Sequence, residues 1–236
     1  MKLANATVLI SGANRGLGHA LVTSSLARGA RRVYAGSRDI SKLVDLPDRV
    51  VPLQLDIDDP RSLAAAADKA ADVTVLINNA GVLVSGGVLT ASTAEIAQEF
   101  TTNVFGTLAA TRAFVPVLER SRGAVLNVLS IVSFSNMPGI GVYSAAKAAS
   151  YSLTQAVRAE LAKQGVRVHA AFPGAIDTDM VKAMEMAKTS PADMANAILD
   201  GLEADIEDII PDQMARDLHA IWKRDPRELQ QTLANM

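Results

Sequence analysis

The sequence predicts an α/β fold: a doubly wound parallel sheet in a single domain of 236 residues. Three observations lead there. Short runs rich in valine and isoleucine alternate with longer alanine- and leucine-rich amphipathic segments, the pattern of strands buried on both faces and separated by crossover helices. Right-handed crossovers then place those helices on both sides of the sheet. No internal repeat, low-complexity tract or linker interrupts the pattern, so residues 1–236 read as one domain.

In chain order, the apolar runs 7–11, 32–36, 50–55, 73–78, 124–129 and 167–172 are the expected strands. Between them, the amphipathic stretches 16–28, 61–70, 95–118 and 142–163 are the expected helices. Ser190 followed by Pro191 reads as an N-cap with proline at the first helical position, opening one more helix. Ile209 and Ile210 add an edge strand, and a charged amphipathic tail helix carries Trp222.

Composition narrows the chemistry. Apolar residues make up 49% of the chain and the formal net charge is −2. A sizeable core is therefore expected, with no electrostatic demand for a nucleic-acid or membrane partner. There is no cysteine, which excludes disulfides and thiolate–zinc sites, among them the zinc-dependent route to alcohol oxidation. His19, His169 and His219 are too far apart in sequence to show ligand spacing, so no metal is expected. Met1, Lys2 and a short apolar run lead straight into a glycine motif, without the longer apolar region of a signal peptide. No stretch approaches the ~18 apolar residues of a membrane span. A soluble, cytoplasmic protein is the expectation.

The first strand ends in SGANRGLG, with glycines at 12, 16 and 18, and a helix follows at once. Such a turn lets a pyrophosphate approach backbone amides at the positive end of a helix. Between strand and helix it marks a Rossmann-like dinucleotide site, with Asn14, Arg15 and Leu17 in the same loop. In such a unit an acid at the end of the second strand would bind the ribose 2′-hydroxyl of NAD. Here the second strand reads VYAGSRD, and Gly36 and Ser37 hold that place. Arg38 follows and Arg15 lies nearby, and guanidinium groups grip a 2′-phosphate bidentately. NADP(H) is therefore the expected cofactor. Asp39 falls late and is better placed to cap a short helix. Asp56, with Ile57 beside it at the end of the third strand, is expected at the adenine or capping a turn.

Tyr143 and Lys147 stand four apart in GVYSAAKAASYSLTQ, on one helix face. A phenol has an ordinary pKa near 10 and is a poor base at neutrality. A neighbouring ammonium, and the positive start of a helix, would favour the phenolate.

With these motifs the chain resembles the short-chain dehydrogenase/reductase family over essentially its whole length. The resemblance is carried by SGANRGLG (Ser11 standing where threonine is usual), NNAG at 78–81, Asn103 in NVFG, Ser130 ahead of YSAAK, and PGAIDT at 173–178. It implies that Tyr143 exchanges a proton with the substrate oxygen. Lys147 would lower the tyrosine pKa and hydrogen-bond the nicotinamide ribose, and Ser130 would hydrogen-bond the reacting oxygen. Asn103 would hold a water that links Lys147 to solvent. Asn79, Ala80, Gly81, Pro173, Gly174, Ile176 and Thr178 would lie along the cofactor. Residues 1–130 would mainly bind the cofactor, and 131–236 would supply catalysis and the substrate site.

The segments expected near the nicotinamide, 82–84, 131–136, 137–142 and 175–184, are mostly aliphatic or methionine. They suit an apolar ketone or aldehyde and hence a carbonyl reductase. The alternatives are reduction of a 3-oxoacyl thioester and a non-catalytic NADP-sensing regulator. The stretch from Thr178 to Pro191 is short, which implies an open pocket. Phe105, Ala149 and Leu153 on outward helix faces imply a homodimer or homotetramer, as the family's helices pair across a two-fold axis.

Overall fold

The structure, a computed structural model, describes residues 1–44 and 46–236. In chain order it forms β1 (Thr7–Ser11), α1 (Gly16–Ala27), β2 (Arg32–Ser37), β3 (Val50–Gln54), α2 (Pro60–Lys69), β4 (Val75–Asn78) and α3 (Thr93–Phe100). Then follow α4 (Thr107–Ser121), β5 (Ala124–Val128), α5 (Gly141–Ala162), β6 (Arg167–Ala171), α6 (Pro191–Glu203), β7 (Asp208–Ile209), α7 (Gln213–Arg224) and α8 (Pro226–Ala234). The strands form one sheet in the order β3-β2-β1-β4-β5-β6-β7, with every pair parallel. The doubly wound α/β architecture is as the alternating pattern predicts, and the edge strand at Ile209 is present.

β1, β4 and β5 are buried along their whole length, because helices cover both faces. On one face Ile10, Ile77 and Leu126 pack with Leu21 of α1 and Ile198 and Leu199 of α6. On the other, Leu9, Leu76 and Val125 pack with Leu63 of α2, Phe114 and Leu118 of α4, and Leu161 of α5. Chain order reverses between β1 and β4, which opens a crevice beyond their carboxyl ends, the usual ligand position in such sheets.

Two elements differ from expectation. The helix read as 95–118 is three pieces: α3, opened by a Ser92/Glu95 capping box, a π-helical stretch over Thr101–Gly106, and α4. A wider turn of this kind leaves no mark on hydrophobic spacing, and it tends to sit where a side chain is re-aimed for function. The tail is two helices rather than one. Pro226 cannot continue α7, and the residue before a proline avoids the helical region. Asp225 is accordingly extended, and its side chain accepts from Arg227 N to start α8.

Candidate active site

At the mouth of the crevice, the glycine turn is built for close backbone approach. Gly12 has φ +67°, and a Cβ on Gly18 would lie 2.1 Å from the Gly12 carbonyl oxygen. Ser11 Oγ accepts from the amides of Asn79 and Ala80, each at 3.0 Å. Asn79 Nδ2 donates in turn to Ser11 O at 3.0 Å. The serine thus ties β1 to β4 across the switch point. Deeper in the sheet, Asn78 Nδ2 donates to Thr111 Oγ1 and Asn127 Oδ1, bracing the strands.

At the end of β2, Asp39 accepts from Ser41 N and Ser41 Oγ and caps the 3-10 turn Ile40–Lys42. The Ser37 hydroxyl donates to Asp39 O at 2.9 Å. Arg15 reaches across the opening to Asp179 at 3.2 Å, with both side chains about 70% exposed, so the pair is a weak clasp that a stronger anion can displace. Arg38 and Lys42 line the same end. Lys42 is an additional cation there that the motif reading did not include. Asp56 Oδ1 accepts from Asp58 N at 3.1 Å and closes a turn, while the residue still faces the cavity.

The opposite end is assembled by β5 and the first turns of α5. Ser130 Oγ accepts from Val132 N at 3.3 Å. Lys147 is 6% exposed and donates from Nζ to Val128 O at 2.9 Å, with Nζ 5.5 Å from the centre of the Tyr143 ring. Burial pulls the Lys147 ammonium down to about 8, against the Glu99 carboxylate, which holds it up. Tyr143 goes opposite to the sequence-based expectation. Burial first and the Glu99 carboxylate second push its phenol well above the ordinary value, and a hydrogen bond with Ser130 only partly offsets them. The protein alone therefore keeps Tyr143 protonated, as a proton donor to a carbonyl must be.

One cavity of about 620 Å³ joins the two ends. Its wall carries Gly12, Asn14, Arg15, Gly16, Leu17, Gly18, Ser37, Arg38, Asp56, Ile57, Asn79, Ala80 and Gly81, together with Ser130, Tyr143, Lys147, Pro173, Gly174, Ile176 and Thr178. Asn103 is the exception. It lies outside the wall, behind Gly81, 1% exposed, because the π-helical turn aims its amide at the Val82 backbone: Nδ2 donates to Val82 O and Oδ1 accepts from Val82 N.

The sequence profile of the short chain dehydrogenases matches residues 6–189. The chain belongs to the short-chain dehydrogenase family. It is similar to a short-chain dehydrogenase from Burkholderia cenocepacia J2315, solved in complex with NADP, at 39% identity and TM-score 0.95 over 99% of each chain. It is 32% identical to the ketoacyl reductase HetN of Nostoc sp., over 89% of this chain and 80% of that one. It also resembles the 3-ketoacyl-(acyl-carrier-protein) reductase of Brucella melitensis, complexed with NADH: 25% identity and TM-score 0.80, over 87% and 94% of the two chains.

Two features of this dehydrogenase's site were not read from the sequence. Glu99, fully buried, reads in sequence as one more polar helix residue; its i, i+4 spacing to Asn103 was the available signal. The second is the roof. The short stretch between Thr178 and Pro191 suggested an open pocket, but Met214 and Leu218 of α7 and Leu233 of α8 line the cavity as well. These helices are anchored on Ile131 and Ile140. Six of the eight methionines, Met137, Met180, Met184, Met186, Met214 and Met236, face this one space. Among the described residues no helix is long and apolar enough to cross a membrane, and no three histidine or carboxylate groups converge as a metal site.

Proposed function

We propose that this short-chain dehydrogenase is an NADP(H)-dependent carbonyl reductase, or alcohol dehydrogenase in reverse, acting on apolar ketones or aldehydes with Tyr143 as general acid/base. The observation that carries the reading is the convergence of Tyr143, Ser130 and Lys147 on one cavity that runs from a glycine cradle to a methionine-lined wall. The cradle fits a dinucleotide, since a side chain at Gly12 or Gly18 would fill it. The NADP held by the Burkholderia relative supports the choice of cofactor. Arg15, Arg38, Lys42 and Ser37 would hold the adenosine end, Asn79 to Gly81 and Pro173 to Thr178 the middle, and Lys147 the nicotinamide ribose.

The bound cofactor supplies the hydride. Tyr143, kept protonated by burial, gives its proton to the carbonyl oxygen. Ser130 donates a hydrogen bond to the same oxygen and steadies the charge that develops there. Lys147, buried and cationic below about pH 8, stabilises the phenolate left behind. The roof of α7 and α8 and the methionine wall exclude water and adapt to bulky groups. Residues 1–130 would mainly hold the cofactor and 131–236 the reacting groups. Assembly as a dimer or larger is part of the proposal: Phe105 is 61% exposed on the outer face, too apolar to leave in water comfortably.

Initial rates of NADPH oxidation along a homologous ketone series test the substrate class. Each added methylene buried in the pocket contributes up to ~0.8 kcal/mol, up to about fourfold in kcat/KM, before the series levels off. A clear preference for a sugar or a phosphorylated carbonyl contradicts the reading. A 3-oxoacyl thioester belongs in the same panel, because two relatives bear ketoacyl reductase names. A non-catalytic NADP sensor has less support, as Ser130, Tyr143 and Lys147 are all in place.

Arg38→Asp is expected to narrow or reverse the preference for NADPH over NADH, by placing a carboxylate where a 2′-phosphate would sit. The ratio of the two dissociation constants, measured by cofactor fluorescence, checks it. Tighter NADH binding by the unmodified protein contradicts the cofactor assignment.

A further inference from the structure

We infer that Glu99 is a positioning residue of this site: it fixes the Asn103 amide and is the buried counter-charge of Lys147. The inference rests on the proposed function only in taking Lys147 to contact the cofactor ribose.

Glu99 is 0% exposed, and a carboxylate is almost never fully buried without partners. Its oxygens are used in a particular way. Oε2 accepts from Val84 N at 2.7 Å and Oε1 from Asn103 Nδ2 at 2.5 Å. Since Asn103 Oδ1 accepts from Val82 N and Nδ2 also donates to Val82 O, the amide is held on every side and cannot rotate. A Cβ on Gly81 would lie 2.7 Å from Asn103 Oδ1 and 3.8 Å from Lys147 Nζ. Amide and ammonium therefore flank the same piece of backbone, with Glu99 directly behind the amide.

Lys147 needs such a partner. Its ammonium is buried and, among the described residues, its one hydrogen bond to the protein goes to a neutral carbonyl, Val128 O. A buried charge left without a counter-charge is strongly destabilising. Glu99 is the carboxylate whose field holds Lys147 protonated against desolvation. Of the titratable groups packed around Glu99, α5 contributes Lys147 and Tyr143, and the backbone at 82–84 contributes none. Glu95, on the same helix, is turned outward into the capping box of α3. A glutamate that merely tied the 82–84 backbone to α3 would need neither its charge nor this neighbour.

The test uses the whole chain and NADPH as probe, with affinity measured by cofactor fluorescence between pH 6.5 and 9.5. In the unmodified protein affinity falls as pH rises through about 8, where Lys147 loses its proton. In Glu99→Gln, which keeps the shape and removes the charge, this fall comes at least ~1 unit lower, whereas Glu99→Asp keeps it near its original position. An unmoved fall in Glu99→Gln overturns the inference, even if that variant is less stable. A second arm reads thermal unfolding without cofactor. If Glu99→Gln is unstable, adding Lys147→Met recovers stability, because the charge left unpaired is gone. No recovery overturns the pairing, and this arm holds whether or not the protein binds NADPH or reduces ketones.

Discussion

Tyr143→Phe lowers kcat for the best ketone by ~10²- to 10⁴-fold, the usual contribution of a positioned general acid, and leaves NADPH affinity within the error of the measurement. The size of the effect follows from what surrounds the phenol. Its oxygen is the proton-bearing atom at the inner end of the cavity, and burial and the Glu99 carboxylate keep that proton in place. In the proposed mechanism Ser130 only donates a hydrogen bond to the substrate oxygen, and the phenol alone gives up its proton. The ring itself stays, so packing with the neighbouring apolar residues of the roof is preserved and the cofactor end is untouched. Single-turnover rates and a fluorescence titration on the same preparation separate the two quantities. Near-full activity in this variant would mean that another group supplies the proton.

Gly18→Ala strikes the opposite end of the cavity. The added methyl carbon would lie 2.1 Å from Gly12 O and 2.7 Å from Asn79 Nδ2, distances at which atoms repel strongly. The first of these partners is backbone, which has no rotamer to escape into. The turn must open, and with it the alignment of amides that a pyrophosphate would use. Overpacking of this kind costs about 1–3 kcal/mol, which corresponds to a fall in Tm of roughly 2–12 °C for a chain of this size. NADPH affinity is expected to drop by more than ~10-fold, since each ~1.4 kcal/mol lost in binding is a factor of ten. Differential scanning calorimetry with and without NADPH measures both effects. Wild-type affinity in Gly18→Ala would place the dinucleotide elsewhere.

The parts of this fold that were legible in the sequence share a physical cause. β1, β4 and β5 are covered on both faces, so their sequences are unbroken apolar runs, and the candidate site residues sit just past their ends. Gly12, Asn79 and Ser130 could be placed for that reason. The capping role of Asp39 was legible because the capping chemistry is local. What was not legible depends on contacts between distant segments. The π-helical turn at Asn103 leaves the apolar spacing intact and shows only in where the amide points. Glu99 becomes a buried carboxylate because the backbone at 82–84 folds over it. The roof arises when α7 and α8 fold back on Ile131 and Ile140, which no local pattern in the tail announces. The phenol of Tyr143 was expected to be pulled down by Lys147. Instead desolvation, with the Glu99 carboxylate behind it, pushes the phenol up against the opposing hydrogen bond with Ser130, and burial is a property of the assembled cavity rather than of a four-residue spacing.

In the proposed reaction, hydride passes from NADPH to a carbonyl carbon in the cavity where Tyr143, Ser130 and Lys147 meet. NADPH deuterated at nicotinamide C4, prepared separately on each face and incubated with the protein and an apolar aryl ketone, tests it most directly by mass spectrometry of the product. The expected product is an alcohol carrying one deuterium on the former carbonyl carbon from one of the two labelled cofactors, and none from the other. NADPH that binds but yields no labelled alcohol from either face, across the ketone series, would contradict it.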